Sequence, residues 1–188
     1  FAKVSGRKYN VVDYVGPEDA EQVIVIMGSG AETVEEAIEY LNNNGYKVGL
    51  LKVRLYRPFP TKSFLKALPK SVKVVNVLDR TKESGSIGEP LYLDVVATLT
   101  QAHANGEIAN MPRIFGGRYG LSSKEFTPGM VRAVYDNGAS MKPINGFSVG
   151  INDDQRSTVI AEQQCILAGD KYVLIFRNLS SSCRSLWI

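Results

Sequence analysis

Apolar runs of strand length alternate along the chain with amphipathic segments of helical spacing. Runs at Val23–Met27, Lys47–Tyr56 and Val72–Asp79 predict three buried strands. Shorter runs at Arg113–Gly117 and Phe147–Ile151 predict two more. Strands and helices in strict alternation are typical of the α/β class. The pattern therefore predicts a three-layer, mostly parallel sheet of about five strands with helices on both faces.

The segments between these strands carry helix signals. Apolar residues at helical spacing predict two longer helices. In the first helix these residues are Val34, Ala37, Ile38 and Leu41, and in the second they are Leu91, Val95, Leu99 and Ala102. Gly45 is predicted to end the first of these helices. Thr127 and Pro128 form a favourable N-cap and N1 pair for a later helix, and Gly138 is predicted to be its stop.

Composition narrows the class of protein and its partners. The 188 residues suffice for one domain with a core and leave too few for a second full domain. The net charge of +3 is small, and no blocks of Lys and Arg interleave with aromatics, which argues against binding to nucleic acid. No apolar run reaches the roughly 20 residues that span a bilayer. The chain lacks a secretory leader pattern. It begins with Phe1 rather than Met, so it is expected to be either processed or a piece of a longer polypeptide, and a piece is favoured.

Cysteine is scarce in this chain. Only Cys165 and Cys183 occur, and they do not form a C-x-x-C motif. A disulfide framework and a structural zinc site are therefore not expected, and a reducing, intracellular environment is favoured. Two cysteines also fall short of the four thiolates that an iron–sulfur cluster usually takes from protein.

The segment Gly28-Ser29-Gly30 follows a strand and precedes a helix, as in dinucleotide-binding folds. Backbone amides at a helix N-terminus can hold phosphate. However, the third glycine of that fingerprint is replaced by Thr33, and the second strand ends in Arg57-Pro58 where an acidic residue is needed. A tight strand-to-helix turn is thus favoured over a phosphate site.

Charged residues and glycines cluster after the third strand, in "VLDRTKESGSIGEPLYLDV". They lie at the carboxyl edge of the predicted sheet, where open α/β sheets place ligands. The charged members are Asp79, Arg80, Lys82, Glu83 and Glu89. These could bind a substrate or form ion pairs with a neighbouring chain, but no His or Cys stands among them to act as nucleophile or metal ligand. We therefore expect a contact with another domain or subunit rather than catalysis.

Two further sets of residues are weaker candidates for a functional site. The only histidine, His103, is predicted at the end of a helix, where the dipole favours a surface position. In "GGRYGLSSK" the cations Arg118 and Lys124 could hold an anion, and a glycine-rich loop without a ligand fits equally well. No acid–base pair or triad is present, so we expect no catalytic residue and no metal ligand in the chain.

Several segments together resemble one family. "YNVVDYVGPEDAEQVIVIMGSGAETVEEAIEYLN", "GLLKVRLYRPFP", "VLDRTKESGSIGEPLYLDV" and "GGRYGLSSKEFTP" are similar to the middle of pyruvate:ferredoxin (or flavodoxin) oxidoreductase. The resemblance runs from about Gly6 to Asp154. One departure is Ser84, where the family usually has proline, so the turn is kept but its fixed φ is lost.

The resemblance implies a place within a larger enzyme. That enzyme converts pyruvate and coenzyme A into acetyl-CoA and carbon dioxide with thiamine diphosphate, magnesium and 4Fe–4S clusters, and it passes electrons to ferredoxin or flavodoxin. Residues 1–149 resemble its second domain, which is similar to the C-terminal domain of transketolase. This domain joins the other domains of the same polypeptide and contributes to a homodimer. It holds none of the cofactors, so the chain alone is expected to be inactive.

The end of the chain departs from this resemblance. Residues 150–188 begin like the family's next domain, which binds coenzyme A, and only Asp153 and Asp154 are carried over as contributors to that site. The sequence then diverges, which indicates a truncated or unrelated end. The alternatives are a relative that delivers electrons to NADP and a free-standing, non-catalytic interaction domain. The resemblance implies a cytoplasmic protein, or one of an anaerobic mitochondrion-like organelle.

Overall fold

Strands and helices alternate as the sequence predicts. A computed structural model of the chain describes residues 1–150 and 159–160. Its strands are β1 (Val12–Val15), β2 (Gln22–Met27), β3 (Val48–Val53), β4 (Val74–Asp79), β5 (Arg113–Tyr119), β6 (Phe147–Val149) and β7 (Val159–Ile160). The helices are α1 (Ala2–Ser5), α2 (Gly30–Asn43), α3 (Thr61–Ala67), α4 (Pro90–Ala104) and α5 (Pro128–Ala139), and a 3-10 turn at Leu121–Ser123 follows β5.

The described strands form one sheet in the order β1-β3-β2-β4-β5-β6-β7. Neighbouring strands are parallel, except that β1 runs antiparallel to β3. The predicted α/β class and mostly parallel sheet are confirmed, since the five predicted strands correspond to β2–β6. The edge strands β1 and β7 were not predicted, because four and two residues are too short to show a period.

Helices cover both faces of the sheet. Side chains of β2 alternate, so Ile24 and Ile26 join the core under α2 and α5, whereas Val23 and Val25 join the core under α3 and α4. Because both faces are covered, β3 and β4 are buried along their whole length, and β2 is buried except at its two end residues. This accounts for their apolar, non-alternating sequences and leaves the strand ends as the places for polar chemistry.

The observed helix ends agree with two of the three predicted caps. Gly45 follows α2 with φ of +87°, a backbone conformation that glycine adopts without strain. Thr127 begins α5, and its Oγ1 accepts a hydrogen bond from the Met130 amide at 3.3 Å. The prediction for Gly138 was wrong, because α5 continues through it to Ala139. A side chain at Gly138 would collide with residues of β2 and β4, so packing rather than helix termination requires this glycine.

The expected boundary at residue 149 stays a prediction. Beyond it, β7 pairs in parallel with β6, and Ile160 packs against the core under α2 and α5. The remaining residues of the expected second segment, including Asp153, Asp154, Cys165 and Cys183, lie outside the described residues. No helix in the described part of the chain is both long and apolar enough to cross a membrane.

Candidate assembly surface at the carboxyl edge of the sheet

Asp79, the last residue of β4, fixes the beginning of α4. Its side chain is fully buried, and its two carboxylate oxygens accept hydrogen bonds from the backbone amides of Leu91 at 3.0 Å and Tyr92 at 3.1 Å. The residue before the helix, Glu89, makes no capping bond of its own. Asp79 therefore accepts hydrogen bonds from two N–H groups at the beginning of α4 that have no acceptor within the helix, although it precedes Leu91 by 12 residues in the sequence. Its side chain is buried and does not form part of the loop surface.

The ionisation of Asp79 is costly at this position. Burial raises the pKa of its carboxyl above the ordinary value, and the nearby carboxylates of Glu89 and Asp94 raise it further. The hydrogen bonds from Leu91 and Tyr92 oppose this rise without cancelling it. Asp79 is thus held in place by the helix amides despite a net electrostatic penalty, which indicates a positioning role.

Glu89 closes the loop between β4 and α4, residues 80–89. One of its oxygens accepts a hydrogen bond from the Glu83 amide at 2.7 Å, and the other lies 3.4 Å from Arg118 on β5. Arg118 also donates to the Gly146 carbonyl at 3.0 Å. The Glu89 and Arg118 side chains are only 12% and 16% exposed, so this pair is better shielded than a surface ion pair. The β4–α4 loop is therefore fastened to the neighbouring strand.

Tyr92 supports the same loop from below. A Cβ at Gly88, in the loop, would lie 2.5 Å from its ring, and a Cβ at Gly116, in β5, would lie 2.9 Å from it. The Tyr92 hydroxyl accepts a hydrogen bond from Asn145, whose side-chain oxygen accepts from the Gly116 amide. Both glycines thus make room for one aromatic ring. Gly88 and Gly116 are therefore explained by packing against the Tyr92 ring.

The outer surface of the β4–α4 loop is polar except at Ile87. This side chain is 96% exposed, although the Ser86 hydroxyl holds the loop backbone by donating to the Gly88 carbonyl. Lys82 and Glu83 are also exposed. Arg80 turns back and donates from Nε to the Gly120 carbonyl at 3.0 Å, which joins this loop to the one after β5. The loop therefore presents one apolar side chain from a fixed backbone.

The segment after β3 contacts the first part of α4. Arg57 forms an ion pair with Asp94 of α4 at 2.5 Å, and its guanidinium stacks 3.9 Å from the centre of the Tyr56 ring. The peptide bond between Arg57 and Pro58 is cis. Leu55, which precedes Tyr56 in the same segment, is 41% exposed. Neither Ile87 nor the Arg57–Asp94 pair is among the candidates predicted from the sequence. A lone isoleucine within a glycine- and charge-rich loop is nevertheless a signal that could have identified Ile87.

The last glycine of the turn at Gly28-Ser29-Gly30 has a packing explanation. A Cβ at Gly30 would lie 2.7 Å from the ring of Tyr119, whose hydroxyl donates to the Met27 carbonyl at 3.3 Å. Gly28 and Ser29 are exposed, and a Cβ at Gly28 would meet nothing within 4 Å. A cleft of about 380 Å³ lies beside the turn, lined by Ser29, Glu32, Lys52 and Arg54 among others.

Charges in this cleft are paired within the chain. Lys52 is 5% exposed and binds Glu32 at 3.0 Å and also Glu35. Burial alone would lower the pKa of Lys52, but its two carboxylate partners raise the pKa above the ordinary value, so it stays charged. Arg54 binds Asp13 at 2.5 Å. The glutamates that follow the turn thus neutralise a buried lysine.

The second glycine-rich segment also has a packing explanation. A Cβ at Gly117 would lie 2.2 Å from the ring of Phe147, its partner in β6. Arg118 is engaged by Glu89 and Gly146, and Lys124 has an interaction of its own. His103 is exposed in the last turn of α4, as expected. Within the described residues, no group of three or more His, Cys, Asp or Glu side chains is arranged to hold a metal ion.

Comparison with known proteins decides the family. Residues 20–121, more than half of the chain, match the family model described as pyruvate:ferredoxin oxidoreductase core domain II. The chain belongs to this family. The matched region contains the whole β4–α4 loop, the capping residue Asp79 and both members of the Glu89–Arg118 pair. The features that shape the carboxyl edge therefore lie inside the family domain.

Curated relatives agree with this assignment. The chain is 58% identical over 158 residues to the pyruvate-flavodoxin oxidoreductase of Nostoc sp., which covers 84% of this chain and 38% of the relative. It is 55% identical over 157 residues to the pyruvate:ferredoxin oxidoreductase of Moorella thermoacetica, covering 84% and 13%. It is 53% identical over 155 residues to the pyruvate dehydrogenase (NADP+) of Cryptosporidium parvum, covering 82% and 8%. The chain thus spans a minor part of these relatives.

Proposed function

We propose that the chain is a structural and assembly domain of an enzyme that oxidises pyruvate. In this reaction pyruvate and coenzyme A give acetyl-CoA and carbon dioxide, and two electrons pass to ferredoxin or flavodoxin. The family match over residues 20–121 carries the proposal. The relatives are named for pyruvate oxidation and are longer than this chain, so the activity belongs to a polypeptide of which the chain is one part.

The cofactors of this reaction are assigned to other parts of that polypeptide. Thiamine diphosphate with magnesium would stabilise the carbanion formed on decarboxylation, and 4Fe–4S clusters would carry the electrons. Within the described residues the buried carboxylates do not fit these groups, because the oxygens of Asp79 accept from helix amides, and Glu32 and Glu35 bind Lys52. The chain has two cysteines where a cluster takes about four. Asp153 and Asp154 are proposed to adjoin the coenzyme A site.

The similarity of this domain to its relatives does not distinguish the electron acceptors for which they are named. Relatives named for flavodoxin, ferredoxin and NADP+ are 58%, 55% and 53% identical to the chain. A domain that selected the acceptor would separate these relatives more clearly. We therefore place acceptor choice in other domains and keep the NADP-linked enzyme as the alternative. A cytoplasmic location, or an anaerobic mitochondrion-like organelle, remains part of the proposal.

The β4–α4 loop is proposed to contact another domain of the polypeptide or the second subunit of a homodimer. The loop backbone is fixed by Glu89, Tyr92 and Arg80 before any partner binds, so little conformational entropy is lost on docking. Ile87 at its outer surface supplies an apolar anchor, and Lys82 and Glu83 supply a charged rim. A preformed loop with an apolar tip is suited to assembly rather than catalysis.

Substitution of Ile87 by glutamate in the complete polypeptide tests this role. A buried charge without a partner is costly at an interface, so Ile87→Glu is expected to weaken assembly at least ten-fold, which corresponds to about 1.4 kcal/mol. Met141→Glu is the matched control, because Met141 is 99% exposed and follows α5 at the opposite, amino edge of the sheet. Sedimentation measures association of subunits, limited proteolysis of the complete polypeptide measures docking to another domain of the same chain, and pyruvate-dependent dye reduction measures activity.

Equal behaviour of the Ile87→Glu and Met141→Glu enzymes would contradict the assembly role of the loop while leaving the family activity intact. Absence of pyruvate-dependent reduction in the complete wild-type polypeptide would instead contradict the proposed activity. In that case the alternative, a non-catalytic interaction domain, would be favoured.

The chain by itself is expected to show no turnover. Calorimetric titration with thiamine diphosphate and magnesium should give no heat of binding, since the described residues contain no group of three or more His, Cys, Asp or Glu side chains arranged to hold the metal. A pyruvate-dependent dye-reduction assay should remain at background. Micromolar binding or measurable turnover would overturn the assembly role and return the β4–α4 loop to candidate active site.

A further inference from the structure

Asn76 is a buried polar residue in the middle of an apolar strand. It is fully buried in β4, and neither its side-chain oxygen nor its side-chain nitrogen has a hydrogen-bond partner among the described residues. Leaving a buried polar group unsatisfied costs about 1–3 kcal/mol. Buried polar side chains in folded proteins nearly always have a partner, either protein or ordered water. Asn76 therefore needs a ligand that the surrounding side chains do not supply.

A second unsatisfied atom lies beside it. Gln22 of β2 pairs with Val74 of β4, so its side chain is diagonal to Asn76 on the face covered by α5. Its Oε1 is buried and also has no hydrogen-bond partner in the described part of the chain. Both residues converge on Gly138 of α5, where a Cβ would lie 2.5 Å from Gln22 Oε1 and 3.0 Å from Asn76 Nδ2.

These distances limit the separation of the two side chains. Gln22 Oε1 and Asn76 Nδ2 lie no farther apart than the sum of their distances to the Cβ position of Gly138. One water molecule at about 2.8 Å from each atom can bridge separations up to this sum. Gln22 and Gly138 also line a cleft of about 530 Å³ at the amino edge of the sheet, so the pair lies next to solvent-accessible space.

The chemistry of the three atoms selects the ligand. Asn76 Oδ1 and Gln22 Oε1 are acceptors, and Asn76 Nδ2 is a donor. A water molecule donates two hydrogen bonds and accepts others, so it can satisfy all three atoms at once. A cation could not accept from Nδ2, and an anion could not donate to the two oxygens. Buried waters typically make about three hydrogen bonds of this kind.

We propose that Asn76 and Gln22 form a binding site for one ordered water molecule beneath Gly138. The water donates to Asn76 Oδ1 and Gln22 Oε1 and accepts from Asn76 Nδ2. It joins β2 to β4 directly under the last turn of α5, where Arg113 of β5 donates to the Gly138 carbonyl at 3.3 Å. The site explains why a polar residue is retained in the strand sequence "VVNVLD" and why Gly138 is retained within a helix.

Water–protein Overhauser spectroscopy of the wild-type chain tests the site. The side-chain amide of Asn76 should show a cross-peak to water with the sign of a long residence time. Asn137 is an internal control on the same helix turn as Gly138, because it is 8% exposed and both of its polar side-chain atoms are bonded to Ile144. Its side-chain amide should show no such cross-peak. The absence of the Asn76 cross-peak, or an equal one at Asn137, would overturn the proposal.

Two variants extend the test. Asn76→Leu should lower the number of long-lived waters, counted by oxygen-17 relaxation dispersion, by one. Gln22→Met removes only one of the three partners from a partly exposed position, so the variant should fold, and its Asn76 cross-peak should weaken at least two-fold. An unchanged water count in Asn76→Leu, or an unchanged cross-peak in Gln22→Met, would count against the site.

Discussion

A Gly117→Ala variant is expected to lose about 3 kcal/mol of its free energy of unfolding. Gly117 in β5 pairs with Phe147 in β6, and the Phe147 ring lies over the glycine so closely that an added Cβ would be 2.2 Å from two ring carbons. Phe147 is fully buried, so the ring cannot swing into solvent. Overpacking of a core costs roughly 1–3 kcal/mol, and the rigid surroundings place this site at the upper end. Urea unfolding measures the loss.

The double variant Gly117→Ala with Phe147→Leu provides the control. A shorter side chain at position 147 makes room for the methyl group, so the two changes should be less destabilising together than the sum of their separate effects. An additive result, or a Gly117→Ala variant within about 0.5 kcal/mol of the wild type, would show that the Phe147 ring does not require the glycine.

An Asp79→Ala variant is expected to lose about 2–3 kcal/mol, because two amides at the beginning of α4 lose their acceptor. Asp79→Asn should lose less, since one side-chain oxygen remains to accept from Leu91 or Tyr92. Chemical denaturation of both variants at neutral pH gives the comparison. Equal losses in the two variants would indicate that the charge, rather than the hydrogen bonds, holds the helix.

The difference in free energy of unfolding between the wild type and the Asp79→Asn variant should depend on pH, in a direction set by the pKa of Asp79. Its folded pKa is raised above the ordinary 3.8, so the folded protein binds the proton more tightly than the unfolded chain. The advantage of Asp79 over asparagine should therefore be fully present below pH 3.8 and should decrease as the pH rises through the folded pKa. An advantage that grows with pH over this range would contradict the direction of the shift.

The central strands could be predicted because burial on both faces leaves a simple trace in the sequence. Runs such as Val23–Met27 and Val72–Asp79 need no tertiary information to be recognised. The edge strand Val12–Val15 could not be recognised, because it contains Asp13 and is defined by antiparallel pairing with β3. Gly138 was misread because a glycine that ends a helix and a glycine that packs against Gln22 look alike in one sequence.

The candidate surface was predicted in its position but not in its connections. The charge-rich segment after β4 could be placed at the carboxyl edge because parallel strands end there. Which atoms these charges bind could not be predicted, since Asp79 accepts from Leu91 and Glu89 binds Arg118 only after α4 has folded back onto the sheet. Ile87 could have been identified as a lone isoleucine among glycines and charged residues, but the fixed loop backbone that holds it at the surface is seen only in the folded domain.

Tyr92 makes the interior of the domain sensitive to events at its surface. One face of its ring meets Gly88, next to Ile87, and its neighbours Gly116 and Asn145 are joined by a hydrogen bond from the Gly116 amide at 2.8 Å. If the β4–α4 loop makes the proposed contact, a partner seated on Ile87 would further restrict the residual motion of this loop and of the Tyr92 ring beneath it. Deuterium uptake at the buried Gly116 amide would then slow when the proposed contact forms. A single buried amide would thus report on a contact made at the surface of the domain.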